Sequence, residues 1–191
     1  MVDATFPVKL TDMNCTDILE FWFDEISPSQ WWEKDTAFDQ LIAARFSKIH
    51  ERAACCELFG WRQTAQGRLA EVIVLDQFSR NMFRGSARSF AHDPLALALA
   101  QEAISAGADD LLDSSRRPFL YMPLMHSESL VVHEAAIYLF TRKCSKDNLN
   151  FEIRHREIIQ RFGRYPHRNE ILGRESTADD IQFLEGPGSA F

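Results

Sequence analysis

Residues 35–49 read DTAFDQLIAARFSKI, and this stretch decides the fold class. Phe38, Leu41, Ile42, Phe46 and Ile49 recur at three- and four-residue spacing. That places them on one face of an α-helix and gives the helix an apolar stripe to bury. Asp35 stands just before the run, where its carboxylate can accept from the free amides of a first turn. Outward from this stretch the same period continues, and no alternating strand pattern interrupts it. Upstream, Thr16 is placed to cap a short helix carrying Ile18, Leu19, Trp22 and Phe23, which Ser27-Pro28-Ser29 breaks. Downstream, Gly60 and Gly67 bracket a break before a helix from about Leu69 to Phe83.

Asp93-Pro94 reads as a cap followed by proline at the first helical position, with Gly107 as the stop. Arg117-Pro118 and Met122-Pro123 read as a kinked connection, and Ser127 as the start of a helix through about Thr141. Phe151, Ile158, Ile159 and Phe162 belong to a further helix ended by Gly163. Pro166 is placed to begin a short helix through about Leu172, and Thr177 with Asp180 forms a capping-box pattern. The expectation is an all-α chain: a bundle or a short array of helical hairpins. Residues 15–185 would form one all-helical domain, 1–14 an N-terminal extension and 186–191 a frayed tail.

Bulk composition narrows the functional class. An apolar content of 46% and a net charge of −7 fit an acidic globular protein. That balance argues against nucleic acid and anionic membranes as partners. No apolar run reaches the length of a membrane span, and the first residues lack the basic start and apolar core of a secretory signal. Cys15, Cys55, Cys56 and Cys144 form no CxxC pair and are expected as free thiols in a reducing cytoplasm. No cofactor or metal is expected. Oligomeric state is left open.

Against the overall acidity, RFGRYPHRN (Arg161–Asn169) is basic. Between Arg154 and Arg174, six arginines face only Glu157 and Glu170. Their neutralising group is either the protein's own carboxylates or a bound anion. Arg161 and Arg164 sit where cations offset a helix dipole, which is a structural use. His167, Arg168 and Asn169 beside a helix start at Pro166 would instead form an anion cradle.

Two other segments carry polar groups of functional type. In LDQFSRNMFRG (Leu75–Gly85), a regular helix places Asp76, Gln77, Arg80, Asn81 and Arg84 within about 140° of one face. Asp76 and Arg80 are spaced to pair. Guanidinium and amide groups suit bidentate recognition of carboxylate or phosphate. In RRPFLYMPLMHSES (Arg116–Ser129), His126 and Glu128 flank a helix cap; an acid–base pair is one use and capping is another. His133-Glu134 opens like HExxH, but Ile137 stands where the second histidine belongs. Nucleotide loops and the hydrolase serine elbow are missing.

These segments, with ILEFWF (Ile18–Phe23) and HREIIQRFGRYPHRNEILGREST (His155–Thr177), resemble the bacterial family catalogued as domain of unknown function number 924. The resemblance runs from about Thr16 to Leu184. It implies an all-helical, tetratricopeptide-like fold and brings no established activity. The family's recurring segments correspond here to Asp76, Gln77, Arg80, Asn81, Arg84, His126, Glu128, His155, Arg161, Arg164, His167, Arg168, Asn169 and Arg174. Their convergence on one polar pocket between helices is therefore expected. The first reading is a binding protein in which Arg80, Arg84, Arg164 and Arg168 clamp an anionic small molecule or peptide carboxylate, with hydrogen bonds added by His126 and Asn169. The second is an enzyme on a phosphorylated or carboxylated substrate, with His126 polarised by Glu128. The third is an internal ion-pair scaffold.

Overall fold

The computed structural model describes residues 13–189, and among these every regular element is helical. The expected N-terminal extension lies outside the described residues except for Met13 and Asn14, as do the last two residues of the expected tail. Within that tail, Ser189 Oγ donates to Leu184 O at 3.1 Å.

Helix α1 (Cys15–Glu20) opens on a capping box made by Asn14 and Asp17, just upstream of the expected Thr16 cap. Asn14 wins because its short amide reaches the amides of both Thr16 and Asp17, while Asp17 returns to the Asn14 amide. A π-helical turn, Phe21–Glu25, carries α1 onward. Helix α2 (Thr36–Ala54) is capped by Asp35 and buries Phe38, Ile42, Phe46 and Ile49; Leu41 stays exposed.

Helix α3 (Ala65–Ile73) is the centre of the molecule. It packs on α1, on α5 (Asp93–Ser105) and on α6 (Arg117–Met125). Leu69, Ala70, Val72 and Ile73 are fully buried, as expected for a helix with apolar residues on all sides. Its one acid, Glu71, is buried against Arg62 through two 2.7 Å hydrogen bonds. Gly67 is a residue of this helix rather than part of a break before it. A side chain there would meet the Trp61 carbonyl, whose carbon lies 2.7 Å from the Cβ position, so only glycine permits the close approach. Thr64 supplies the cap, accepting from the Gly67 amide.

Beyond α3 the chain makes a second π-helical turn, Val74–Phe78, before α4 (Ser79–Met82). Phe78 meets Phe21, Trp22 and Phe46 edge-on or tilted, locking this turn to the α1–α2 side of the core. The proline-rich segment read as a kinked connection is helix α6. Pro118 fits the first turn, and the helix runs through Pro123 because Phe119, Leu120, Tyr121, Leu124 and Met125 are all buried around it. Helix α7 (Leu130–Lys143) starts from Ser129, not Ser127. Helix α8 (Lys146–Phe162) ends at Gly163 with φ +66°. The helix expected from Pro166 to Leu172 is a 3₁₀ turn, Pro166–Arg168, followed by irregular turns. The last helix, α9 (Ala178–Leu184), has the expected Thr177–Asp180 capping box.

Candidate functional site

The π-helical turn Val74–Phe78 sets the site. One extra residue in a helical turn re-aims the side chains that follow, and such turns are frequent at functional positions. Asp76 is fully buried there. Its Oδ1 lies 2.7 Å from His126 Nδ1 and 3.1 Å from Arg80, and its Oδ2 accepts from Gln77 Nε2 at 2.5 Å. Burial opposes the charge, but Arg80 and His126 outweigh it and hold the carboxyl far below the usual range. A permanent anion facing His126 Nδ1 fixes the proton on that nitrogen. Among the described residues, no hydrogen bond reaches His126 Nε2, and the side chain keeps 16% of its surface exposed. Burial first, then the Arg80 cation, pushes the imidazole pKa down despite Asp76, so the ring is neutral at neutral pH.

Arg80 continues to α5, where its two terminal nitrogens meet both Asp93 oxygens at 3.0 and 3.1 Å. Asp93 is the first residue of α5, with His92 in the capping position, so its carboxylate is released from the expected cap role. Arg168 approaches the same carboxylate at 3.4 Å and donates to His126 O at 3.1 Å. Its guanidinium lies between the Phe90 and Tyr165 rings, 4.5 Å from each centroid. The Nε of this buried arginine has no hydrogen-bond partner. Burial and the neighbouring Arg80 together lower the Arg168 pKa.

Glu128 does not polarise His126, contrary to expectation. It is engaged by Arg174 at 2.7 and 3.0 Å and by the Tyr165 amide at 2.8 Å. Those three contacts tie the 165–174 loop to the start of α7. A cleft of about 330 Å³ opens beside these groups. Asp93, Ser127, Glu128 and Arg168 form its polar part, and Phe90, Pro94, Leu97, Pro123 and Leu172 are among its apolar walls.

The other expected residues divide. Asn81 and Arg84 turn to α2, where both bond Asp39 at 2.6 to 2.8 Å. Arg164 pairs with Asp180 at 2.6 Å, and Asn169 Nδ2 lies 3.1 Å from Ser176 Oγ. His167 packs on Tyr165 with its pKa lowered to about 4, chiefly by burial. Arg161 is exposed over the Phe162 ring and takes no part in the cluster. So Asp76, Gln77, Arg80, His126, Glu128, Arg168 and Arg174 come together, while Asn81, Arg84, Arg161, Arg164 and Asn169 serve elsewhere. The sequence reading missed Asp93, Phe90 and Tyr165. A basic window in an acidic chain signalled that carboxylates must reach it, but not which ones. Among the described residues no cluster of three His, Cys, Asp or Glu side chains is arranged to hold a metal, and no helix is long and apolar enough to cross a membrane.

Comparison with known proteins gives a match over nearly the whole chain. A family model described as bacterial protein of unknown function (DUF924) matches residues 18–188. The solved structure of a protein of unknown function from Agrobacterium tumefaciens is 42% identical, with a TM-score of 0.86 over 90% of this chain and 97% of that one. No curated protein matches.

Proposed function

The chain belongs to the DUF924 family of bacterial proteins of unknown function, and we propose that its α5–α6 cleft binds a small carboxylate- or phosphate-bearing molecule with an apolar body, anchored by Arg168. The observation that carries this reading is the state of Arg168. It is buried, clamped between two aromatic rings, and served by one long contact to a carboxylate that Arg80 already occupies with both oxygens. Arg45, Arg62, Arg80 and Arg84 have their pKa values raised by well-placed carboxylates; that of Arg168 is lowered. Negative charge is short at this position, and a ligand carboxylate or phosphate supplies it. The apolar walls and the volume, near the lower end of the roughly 300–1,000 Å³ range of small-molecule sites, suit a compact aryl or alkyl body.

The test is thermal denaturation with benzoate and phenyl phosphate, and with benzamide as the uncharged control. At a hundredfold excess over the dissociation constant, a ligand adds about 2.7 kcal/mol to stability. Stabilisation by either anion and not by benzamide, lost in a folded Arg168→Ala variant, is expected. Equal effects of benzoate and benzamide, or no effect of either anion, would overturn the reading.

A further inference from the structure

We propose that His126 is the general base of an ester hydrolysis, with Asp76 as its positioning residue and a carboxylate- or phosphate-bearing ester in the adjacent cleft as its substrate class. The substrate class rests on the cleft reading above; the dyad itself does not. The geometry is that of a carboxylate–imidazole pair built for proton transfer. Asp76 is buried on the π-helical turn, held by Arg80 and Gln77, and 2.7 Å from Nδ1. The opposite nitrogen, Nε2, has no partner among the described residues, on a side chain that still meets solvent. His126 ends α6 as its C-terminal cap residue, and its backbone is fixed by Met122 O on one side and Arg168 on the other. The next two residues, Ser127 and Glu128, already line the cleft.

The buried His133 has both nitrogens engaged: Nδ1 meets Glu152 at 2.7 Å and Nε2 meets Ser127 O at 2.9 Å. His126 has one nitrogen anchored and one left with its lone pair. In the proposed step, Nε2 takes a proton from a water molecule as the water oxygen bonds to the acyl carbon. Collapse of the tetrahedral adduct breaks the bond to the leaving oxygen, and the imidazolium returns the proton to that oxygen. Ester and water give acid and alcohol. Asp76 stabilises the transient imidazolium and keeps the tautomer correct.

The experiment is release of p-nitrophenolate from p-nitrophenyl acetate by the wild type, His126→Ala, Asp76→Asn and Asp76→Glu, followed against pH. General bases contribute about 10²–10⁴-fold on matched substrates; for this unmatched probe at least about tenfold over His126→Ala is expected. The rate should rise with pH to a plateau, with its midpoint below the ordinary histidine value. Burial and Arg80 lower this midpoint, while Asp76 from the α3–α4 segment and Asp93 from α5 raise it; His155 from α8 and His167 and Arg168 from the loop are the other titratable or charged groups nearby. Asp76→Asn should fall to the His126→Ala level, because an amide donating to Nδ1 moves the proton to Nε2. Asp76→Glu should recover part of the rate. A wild type no faster than His126→Ala, or an Asp76→Asn variant with the wild-type rate and profile, would overturn the proposal. If Asp76→Asn does not fold, the imidazole ¹⁵N spectrum of the wild type decides: a bare Nε2 supports the dyad and a protonated Nε2 ends it. The probe carries no anionic group. Hydrolysis without benzoate binding would sink the cleft reading alone, and benzoate binding without hydrolysis would sink the dyad alone.

Discussion

Arg80 and Arg168, from opposite halves of the chain, meet on one carboxylate: Asp93 accepts from Arg80 at 3.0 and 3.1 Å and from Arg168 at 3.4 Å. Removing the charge by Asp93→Asn leaves two neighbouring guanidinium groups, one of them buried, with Asp76 beside Arg80 and Glu128 near Arg168 as the remaining carboxylates. Breaking a buried pair costs about 3–5 kcal/mol, and the lower end applies because Asp93 keeps some water contact. The expected result is a melting temperature lower by roughly 6–12 °C for a chain of this size. The same variant should bind benzoate more tightly than the wild type, since the competing carboxylate is gone. An unchanged melting curve would show that Asp93 does not hold this junction.

Gly67→Ala tests the centre of the fold. Helix propensity favours alanine by about 1 kcal/mol. The new methyl would run into the Trp61 carbonyl, which is backbone and cannot swing aside. Overpacking of this kind costs about 1–3 kcal/mol, so the clash wins and urea midpoints should fall. A more stable Gly67→Ala would mean that the 61–64 segment moves freely against α3.

What could be read from the sequence was local. The Asp35 cap, the Thr177–Asp180 box and the Gly163 stop each depend on residues within one helical turn, and each is where expected. The site was legible only as composition. A regular helix at 100° per residue keeps Asp76, Gln77, Arg80, Asn81 and Arg84 on one face. The π-helical turn breaks that phase, sending Arg80 to Asp93 and Asn81 with Arg84 to Asp39. Likewise, Glu128 was the acid nearest to His126 in sequence, whereas the partner in space is Asp76, 50 residues away. Only the packing of α6 on α3 brings that carboxylate to the ring.

Acid should weaken the protein before its carboxylates titrate. Burial lowers the pKa of His50 to about 4, His155 to about 3 and His167 to about 4. Their folded values lie below the unfolded value of about 6.5. The unfolded chain therefore binds more protons below that pH. Stability from these three groups is complete above pH 6.5 and is lost as pH falls from there through about 4 for His50 and His167 and about 3 for His155. Glu152, whose pKa burial raises, works in the opposite sense by favouring the folded state as pH falls. With His50, His155 and His167 dominant, urea unfolding between pH 6 and 4.5 should take up roughly two to three protons. Stability rising as pH falls over that interval would contradict the neutral, buried state of these rings.

Glu128→Gln separates the two roles that the sequence left open for this residue. As a clamp, Glu128 holds Arg174 through two bonds and the Tyr165 amide through a third. None of these three bonds touches the His126 ring, which Asp76 holds at 2.7 Å. The substituted amide can keep one acceptor but not the charge. Hydrogen bonds to charged groups are worth about 1.5–3 kcal/mol, and partial solvent contact at this pair places the loss near the lower end. Amide exchange across 165–174 should accelerate, because the loop loses its tie to α7. The His126 ¹⁵N shifts should remain those of the wild type, because Asp76 alone fixes the tautomer. A changed His126 tautomer with an intact loop would restore Glu128 as its partner; a slack loop with an unchanged ring would confine Glu128 to shaping the cleft wall.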